Sequence, residues 1–370
     1  MKKVVSIALA LLMVAVMLPV MAMAEGTTLQ SRIDAGETTI TLTENVTESI
    51  TIPKDKTVTL NLNGNTLTNE ANKDTITVAL GGTLTIEGAG TVDNISHGRA
   101  AVYNNGTVTI NGGTYTRSAE KGTGKDPDSN NGNSWYTICN HGVMTVNAGV
   151  TVTNTGTFSS VFENGYQSYT GNNERSNYVA GTNNAAPALT INGGTFEGGK
   201  ITIKNDDGGI LKIGGGRFTN KGNRVVFNAN KAEINGGEFY CPATYFGNEI
   251  AVDTLYADGG QNAGQLTITG GTFDGKVTQS NGAATTVSGG TFKKGVDKSY
   301  IVDGKKLDAN GNVVPESITI IVPSEGGNTT TTPSTDNTKN PGTGANDFVG
   351  VAAAMAVVSL LGAAAVIRKK

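Results

Sequence analysis

The chain has 370 residues, of which 51 are glycine, with 28 Lys and Arg against 31 Asp and Glu. A formal charge of −3 gives no electrostatic reason to expect nucleic acid or an anionic surface as a partner. Only two cysteines occur, Cys139 and Cys241, so disulfides are not the scaffold. A bridge needs α-carbons within about 7 Å, and these two lie several repeats apart, so both are expected as free buried thiols.

Residues 1–24 have the pattern of a secretory signal peptide: Lys2 and Lys3, an apolar run from Val4 to Met21, then small residues before a cut after Ala24. Residues 25–36 form an expected N-terminal cap. There "TTLQSRIDAG" sets Leu29 and Ile33 four apart, as in a short helix, and Gly36 stops it.

From 37 to 298 one theme recurs: "VTINGGTY" at 108–115, "LTINGGTF" at 189–196, "LKIGGGRF" at 211–218, "AEINGGEF" at 232–239, "LTITGGTF" at 266–273 and "TTVSGGTF" at 285–292. Its apolar residues alternate, which predicts strands with one buried face, and the glycines supply a bend. The second glycine falls at Gly113, Gly149, Gly194, Gly216, Gly237, Gly271 and Gly290. The closest spacings define a unit of about 20–22 residues; the longer ones are a unit plus an insertion, or two units with one degenerate.

So small a unit cannot bury its own apolar face, so copies must stack. The leucine and asparagine signature of a leucine-rich repeat is missing, as is any helical period. The expected fold is therefore all-β: a parallel β-helix solenoid, right-handed by the usual rule for parallel crossovers. Strands that end in Asn104, Asn140, Asn205 and Asn228 predict a column of asparagines at one corner. Those residues would tolerate left-handed backbone and bond along the axis as an amide ladder.

Beyond the repeats, residues 299–323 form an expected C-terminal cap, where "KKLDANGNVVP" places Asn310 and Gly311 as a hairpin signal. Residues 324–340 lack apolar side chains and predict a disordered Thr-rich stalk. In the last segment, 340–370, the apolar or small residues 348–367 are long enough for one transmembrane helix. Arg368, Lys369 and Lys370 would stay on the cytoplasmic side.

Repeats and ends together resemble bacterial cell-surface β-helix proteins of the pectate-lyase-like superfamily, particularly in "ITLTENVTESITIPKDKTVTLNLNGNTLTN", 40–69. The segment "NPGTG", Asn340, Pro341, Gly342, Thr343 and Gly344, resembles the LPxTG-type sorting signal read by sortases. That resemblance implies cleavage between Thr343 and Gly344 and attachment of Thr343 to peptidoglycan. Sortase and peptidoglycan are then partners, and the protein is secreted and anchored to the wall of a Gram-positive cell. The C-terminal helix would hold it in the membrane only until processing.

Members of that superfamily often act on polysaccharides, and a glycosidase needs carboxylates converging on one bond. No column of acids spaced one coil apart is evident, so no catalytic residue is assigned. Asp206 and Asp207 are followed one unit on by Asn228 and Asn230, and are expected as solvated corner residues. Arg217 replaces the repeat threonine and is expected as a lone base on an outer face. Of the two histidines, His97 and His141, the latter follows Asn140 and is expected in a surface turn; no zinc or haem spacing is present. No cofactor is expected. Calcium is the one cation with candidates, Asp126, Asp128 and Asn130, whose alternate spacing suits oxygen ligation. Gly132 lies one place late for such a loop, and Thr137 stands where an acid would close it.

The aromatic residues fall into two sets. Tyr115, Phe196, Phe218, Phe239, Phe273 and Phe292 share one column, in the core or as an external stack. The others lie in insertions, among them Trp135, Tyr136, Tyr166, Tyr169, Tyr178, Tyr245 and Tyr256. Insertions from a rigid scaffold tend to carry function, and exposed rings amid Asn, Ser and Gly suit sugar stacking. The alternative is that these rings pack the loops onto the coil. The expected role is adhesion or glycan binding, with environmental or host glycans or surface proteins as partners. The alternatives are a polysaccharide lyase or glycoside hydrolase, and a passive spacer or coat protein.

Overall fold

The structure, a computed structural model, describes residues 27–118, 135–154, 160–166, 168–169, 172–173, 187–242, 247–255, 263–280 and 282–316. Three parallel sheets run along it, of ten, ten and nine strands. The first runs from Thr39–Thr41 to Ala284–Val287, the second from Val46–Thr47 to Thr291–Phe292, and the third from Ile50–Ile52 to Lys276–Gln279. Every strand pairs with its equivalent one turn later, so like stands on like: Leu189 beside Leu211, then Ala232, then Leu266. This is a parallel β-helix.

Register also resolves the long repeat spacings. Val108 pairs directly with Met144, Met144 with Leu189, and Ala232 with Leu266. Each long interval is thus one coil carrying extra residues, with no degenerate coil hidden inside. The extra residues enter on the two flanks of the third sheet: between Thr116 and Ile138, Asn154 and Phe162, Asn164 and Ala188, Tyr240 and Ile250, and Thr254 and Gln265. The turn from first to second sheet stays short throughout.

The aromatic column lies in the core. Phe196, Phe218, Phe239, Phe273 and Phe292 stack with successive centroids 4.8–4.9 Å apart and interplanar angles of 5–8°. That spacing is the strand separation itself, so the backbone sets the ring distance. Burying each ring contributes about 1.5–3 kcal/mol.

Two glycines per turn have two distinct causes. Gly237 has φ +99°, where a side chain would be strained. A β-carbon on Gly236 would lie 2.4 Å from the carbonyl oxygen of Gly214 in the preceding coil. The first glycine therefore permits coil stacking, and the second permits the bend.

The asparagine corner is a buried amide ladder. Nδ2 of Asn104 donates to Oδ1 of Asn140 at 2.7 Å, Asn140 to Asn164 at 2.7 Å, Asn164 to Asn205 at 2.7 Å, and Asn205 to Asn228 at 2.8 Å. Asn164 completes it and was not singled out from sequence. The expected left-handed backbone is absent there: among the described residues, only Asp55, Asn63, Asn72 and Glu249 have positive φ without being glycine. Asparagine serves this corner through its amide, not its backbone freedom.

At one end a helix, Leu29–Asp34, lays Leu29 and Ile33 into the core. Thr28 caps it, and the Glu48 carboxylate accepts the N–H groups of Leu29 and Gln30 at 2.8 and 2.7 Å. At the other end a hairpin pairs Lys305–Leu307 with Val313–Pro315, and Leu307 and Val313 pack against the core. No helix among the described residues is long and apolar enough to cross a membrane. The expected span at 348–367 lies outside the described residues, as do the signal peptide at 1–24, the stalk at 324–340 and the sorting signal Asn340–Gly344.

Candidate functional site

On the second sheet the residues flanking each inward side chain face outward, and on the strands before Thr195 most are threonine, as at Thr66, Thr68, Thr114, Thr116, Thr151 and Thr153. One region departs from that rule. Arg217 stands beside Thr195 and Glu238, and Glu238 beside Thr272; in the next outward row Thr219, Tyr240 and Asp274 are neighbours. Strand alternation buries Phe239 and so turns Tyr240 out, leaving it 42% exposed. It is the one large aromatic exposed among the described residues. Lys293 approaches the Asp274 carboxylate at 3.2 Å, an exposed pair worth about 0–1 kcal/mol and therefore easily opened.

Arg217, Glu238, Tyr240, Thr272, Asp274 and Lys293 surround a recess of about 290 Å³. Sharing Arg217, Glu238 and Thr272 with it, a shallow trough of about 830 Å³ runs over the glycine turns from Gly194 to Gly290. Its floor is bare backbone, because the turns admit no side chain there. Chemically this is an exposed ring, two cations and two carboxylates beside an open polar channel along the stack.

The third sheet carries a second departure. Its strands run in–out–in, so the middle residues form one outward row: Tyr103, Cys139, Glu163, Lys204, Phe227, Asp253 and Thr278, each the register partner of the next. Insertion residues cover the middle of this row. Tyr136 and Tyr166 are 5% and 7% exposed, and Cys139 and Glu163 are fully buried. Cys139 Sγ lies 3.0 Å from Glu163 Oε2 and 3.5 Å from His141 Nε2. The Tyr103 hydroxyl lies 3.2 Å from the other ring nitrogen, Nδ1. Lys204 Nζ sits 2.5 Å from Asp206 Oδ2 and 3.3 Å from the Tyr136 hydroxyl. Arg224 pairs with Asp253, which also accepts from Thr278 Oγ1 at 2.7 Å.

These positions correct several expectations. Asp206 and Asp207 are buried, at 4% and 0% exposure, rather than solvated. The Lys204 ammonium compensates Asp206, and the backbone of Tyr166, bonded to the Asp207 carbonyl at 2.8 Å, lies over the corner. His141 does not sit in a surface turn: its side chain is 7% exposed and packs with the rings of Tyr103 and Tyr166. Arg217 is exposed as expected, but it has Glu238 beside it.

Of the aromatic candidates, Tyr136 and Tyr166 are buried and Trp135 is half-buried against Tyr136, with centroids 5.8 Å apart. These rings pack the loops onto the coil instead of facing solvent. For Tyr169 only the backbone is described, in a short antiparallel pair; Tyr178, Tyr245 and Tyr256 lie outside the described residues, as do Asp126, Asp128 and Asn130. Sequence reasoning passed over Tyr240, although its alternation with the repeat phenylalanine was a sufficient signal.

The two thiols are free and buried. Burial pushes the Cys241 thiol up to about 11, so at neutral pH it is an unreactive core group. No family model matches the chain, nor does any curated protein or solved structure.

Proposed function

We propose that the chain is a wall-anchored surface protein of a Gram-positive bacterium whose right-handed parallel β-helix binds glycans. The observation that carries this reading is Tyr240: an exposed ring on a rigid sheet, flanked by Arg217, Glu238, Asp274 and Lys293, and opening onto the glycine trough. A sugar ring offers an apolar face to a tyrosine and hydroxyls to charged neighbours, and a linear polymer suits an open channel better than a closed pocket. The aromatic contact thus moves from the insertions to the second sheet. Adhesion follows from such a surface held at the wall.

A glycan array probed with the purified protein tests this. Retention of intact glycans, with about a 5- to 30-fold loss of affinity in Tyr240→Ala, is the expected result, since ring stacking is worth about 1–2 kcal/mol. Shortened or unsaturated products by mass would instead favour the polysaccharide lyase or glycoside hydrolase alternative. Unchanged retention by Tyr240→Ala would remove this surface from the reading, and no retention at all would favour the passive spacer.

A further inference from the structure

We infer that Cys139, His141 and Glu163 form a binding site for a soft or borderline divalent cation, with zinc the best match. The fold brings them together by register, not by sequence spacing. Cys139 and Glu163 are adjacent in the outward row of the third sheet, and His141 follows Cys139 by two residues, just past the Asn140 corner.

The three donor atoms point at one another. Sγ to Oε2 is 3.0 Å, Sγ to Nε2 is 3.5 Å and Nε2 to Oε2 is 3.9 Å. Tetrahedral zinc, with bonds of about 2.0–2.3 Å, needs donor separations of about 3.3–3.8 Å. Shifts of a few tenths of an ångström would seat the ion. A sulfur, an imidazole nitrogen and a carboxylate oxygen are the donor types of zinc sites, whereas calcium takes six to eight oxygens. The fourth position is left to water or another donor.

Charge and the surrounding shell agree. Cys139 and Glu163 are fully buried. A thiolate and a carboxylate together are balanced by one divalent cation, which removes the cost of burying them as anions. The Tyr103 hydroxyl lies 3.2 Å from His141 Nδ1, so in the Nδ1–H tautomer that metal ligation through Nε2 requires, it accepts that proton and leaves the Nε2 lone pair facing the other two donors. The rings of Tyr103 and Tyr166, 5.3 and 4.9 Å from the imidazole, hold its plane. This site lies on a different sheet from Tyr240 and does not depend on glycan binding.

Cobalt is the reporter, because thiolate ligation gives a near-ultraviolet charge-transfer band. The full chain, stripped with chelator, is titrated with Co²⁺ and then with Zn²⁺ in competition. The expected result is one Co²⁺ per chain with a thiolate band and tetrahedral visible bands, both displaced by Zn²⁺. Cys139→Ser loses the thiolate band, and Tyr103→Phe, which leaves all three ligands in place, raises the dissociation constant about 10-fold or more. With Cys241 the one other cysteine, a band that survives in Cys139→Ser belongs elsewhere and overturns the site. Absence of any band in the wild-type protein, with its far-ultraviolet β signal intact, overturns it equally. His141→Gln serves as a second ligand variant should Cys139→Ser fold poorly; binding unchanged in it also sinks the proposal.

Discussion

A single asparagine in this protein has two quite different values, depending on which ladder it joins. Asn164 sits between Asn140 and Asn205 in the buried corner and also donates to the Ile210 carbonyl at 3.1 Å. Asn147 sits between Asn111 and Asn192 at 2.7 and 2.8 Å, but in solvent. Truncating Asn164 strands buried amide groups on both neighbours, whereas water replaces whatever Asn147 gives up. We expect Asn164→Ala to cost about 3 kcal/mol and Asn147→Ala less than about 1 kcal/mol, compared by urea denaturation. Equal losses would mean the inner ladder is no stronger than the outer one. The inner corner was legible in the sequence because its strands end alike. Asp206, Asp207 and His141 misled for a reason at the same scale: polarity predicts exposure only when no neighbouring coil or insertion covers the side chain.

At the scale of the element, the double-glycine turn decides how closely coils stack. Gly214 stands one place before the double glycine, where the neighbouring copies carry Asn192 and Asn235, and the nearest atoms to an added β-carbon are 3.8 Å away there but 2.4 Å away at Gly236. Alanine at 214 therefore meets ordinary contacts and restricts the unfolded chain, for a gain of up to about 1 kcal/mol. Alanine at 236 drives a methyl into a carbonyl and is expected to cost about 1–3 kcal/mol. Thermal melts of the two variants should move in opposite directions; a parallel shift would contradict the packing described. The strands and the stacked phenylalanines could be placed from sequence because a period of two and a period of one coil are both local repeats. The third-sheet row could not. Its residues Tyr103, Cys139, Glu163 and Lys204 share no motif, and only the register across insertions of unequal length makes them neighbours.

For the whole molecule, the proposed sorting signal is testable without reference to the fold. Thr343→Ala should leave the protein extractable with detergent, while the parent chain is released only by wall hydrolase; a variant still joined covalently to peptidoglycan would refute the anchor. The solenoid itself is closed at one end by Leu29 and Ile33 and packed at the other by Leu307 and Val313, and its hydrogen bonds between coils point along the long axis. That last feature fixes how the protein answers force. Tension between the two ends loads these rows one interface at a time, as in unzipping, rather than shearing many bonds together. A coil such as Gly216 to Gly237 contributes about 5 Å of length while folded, but about 70 Å once drawn out. Under load the molecule would lengthen in steps of one coil, yielding at its weakest interface while the rest stays wound.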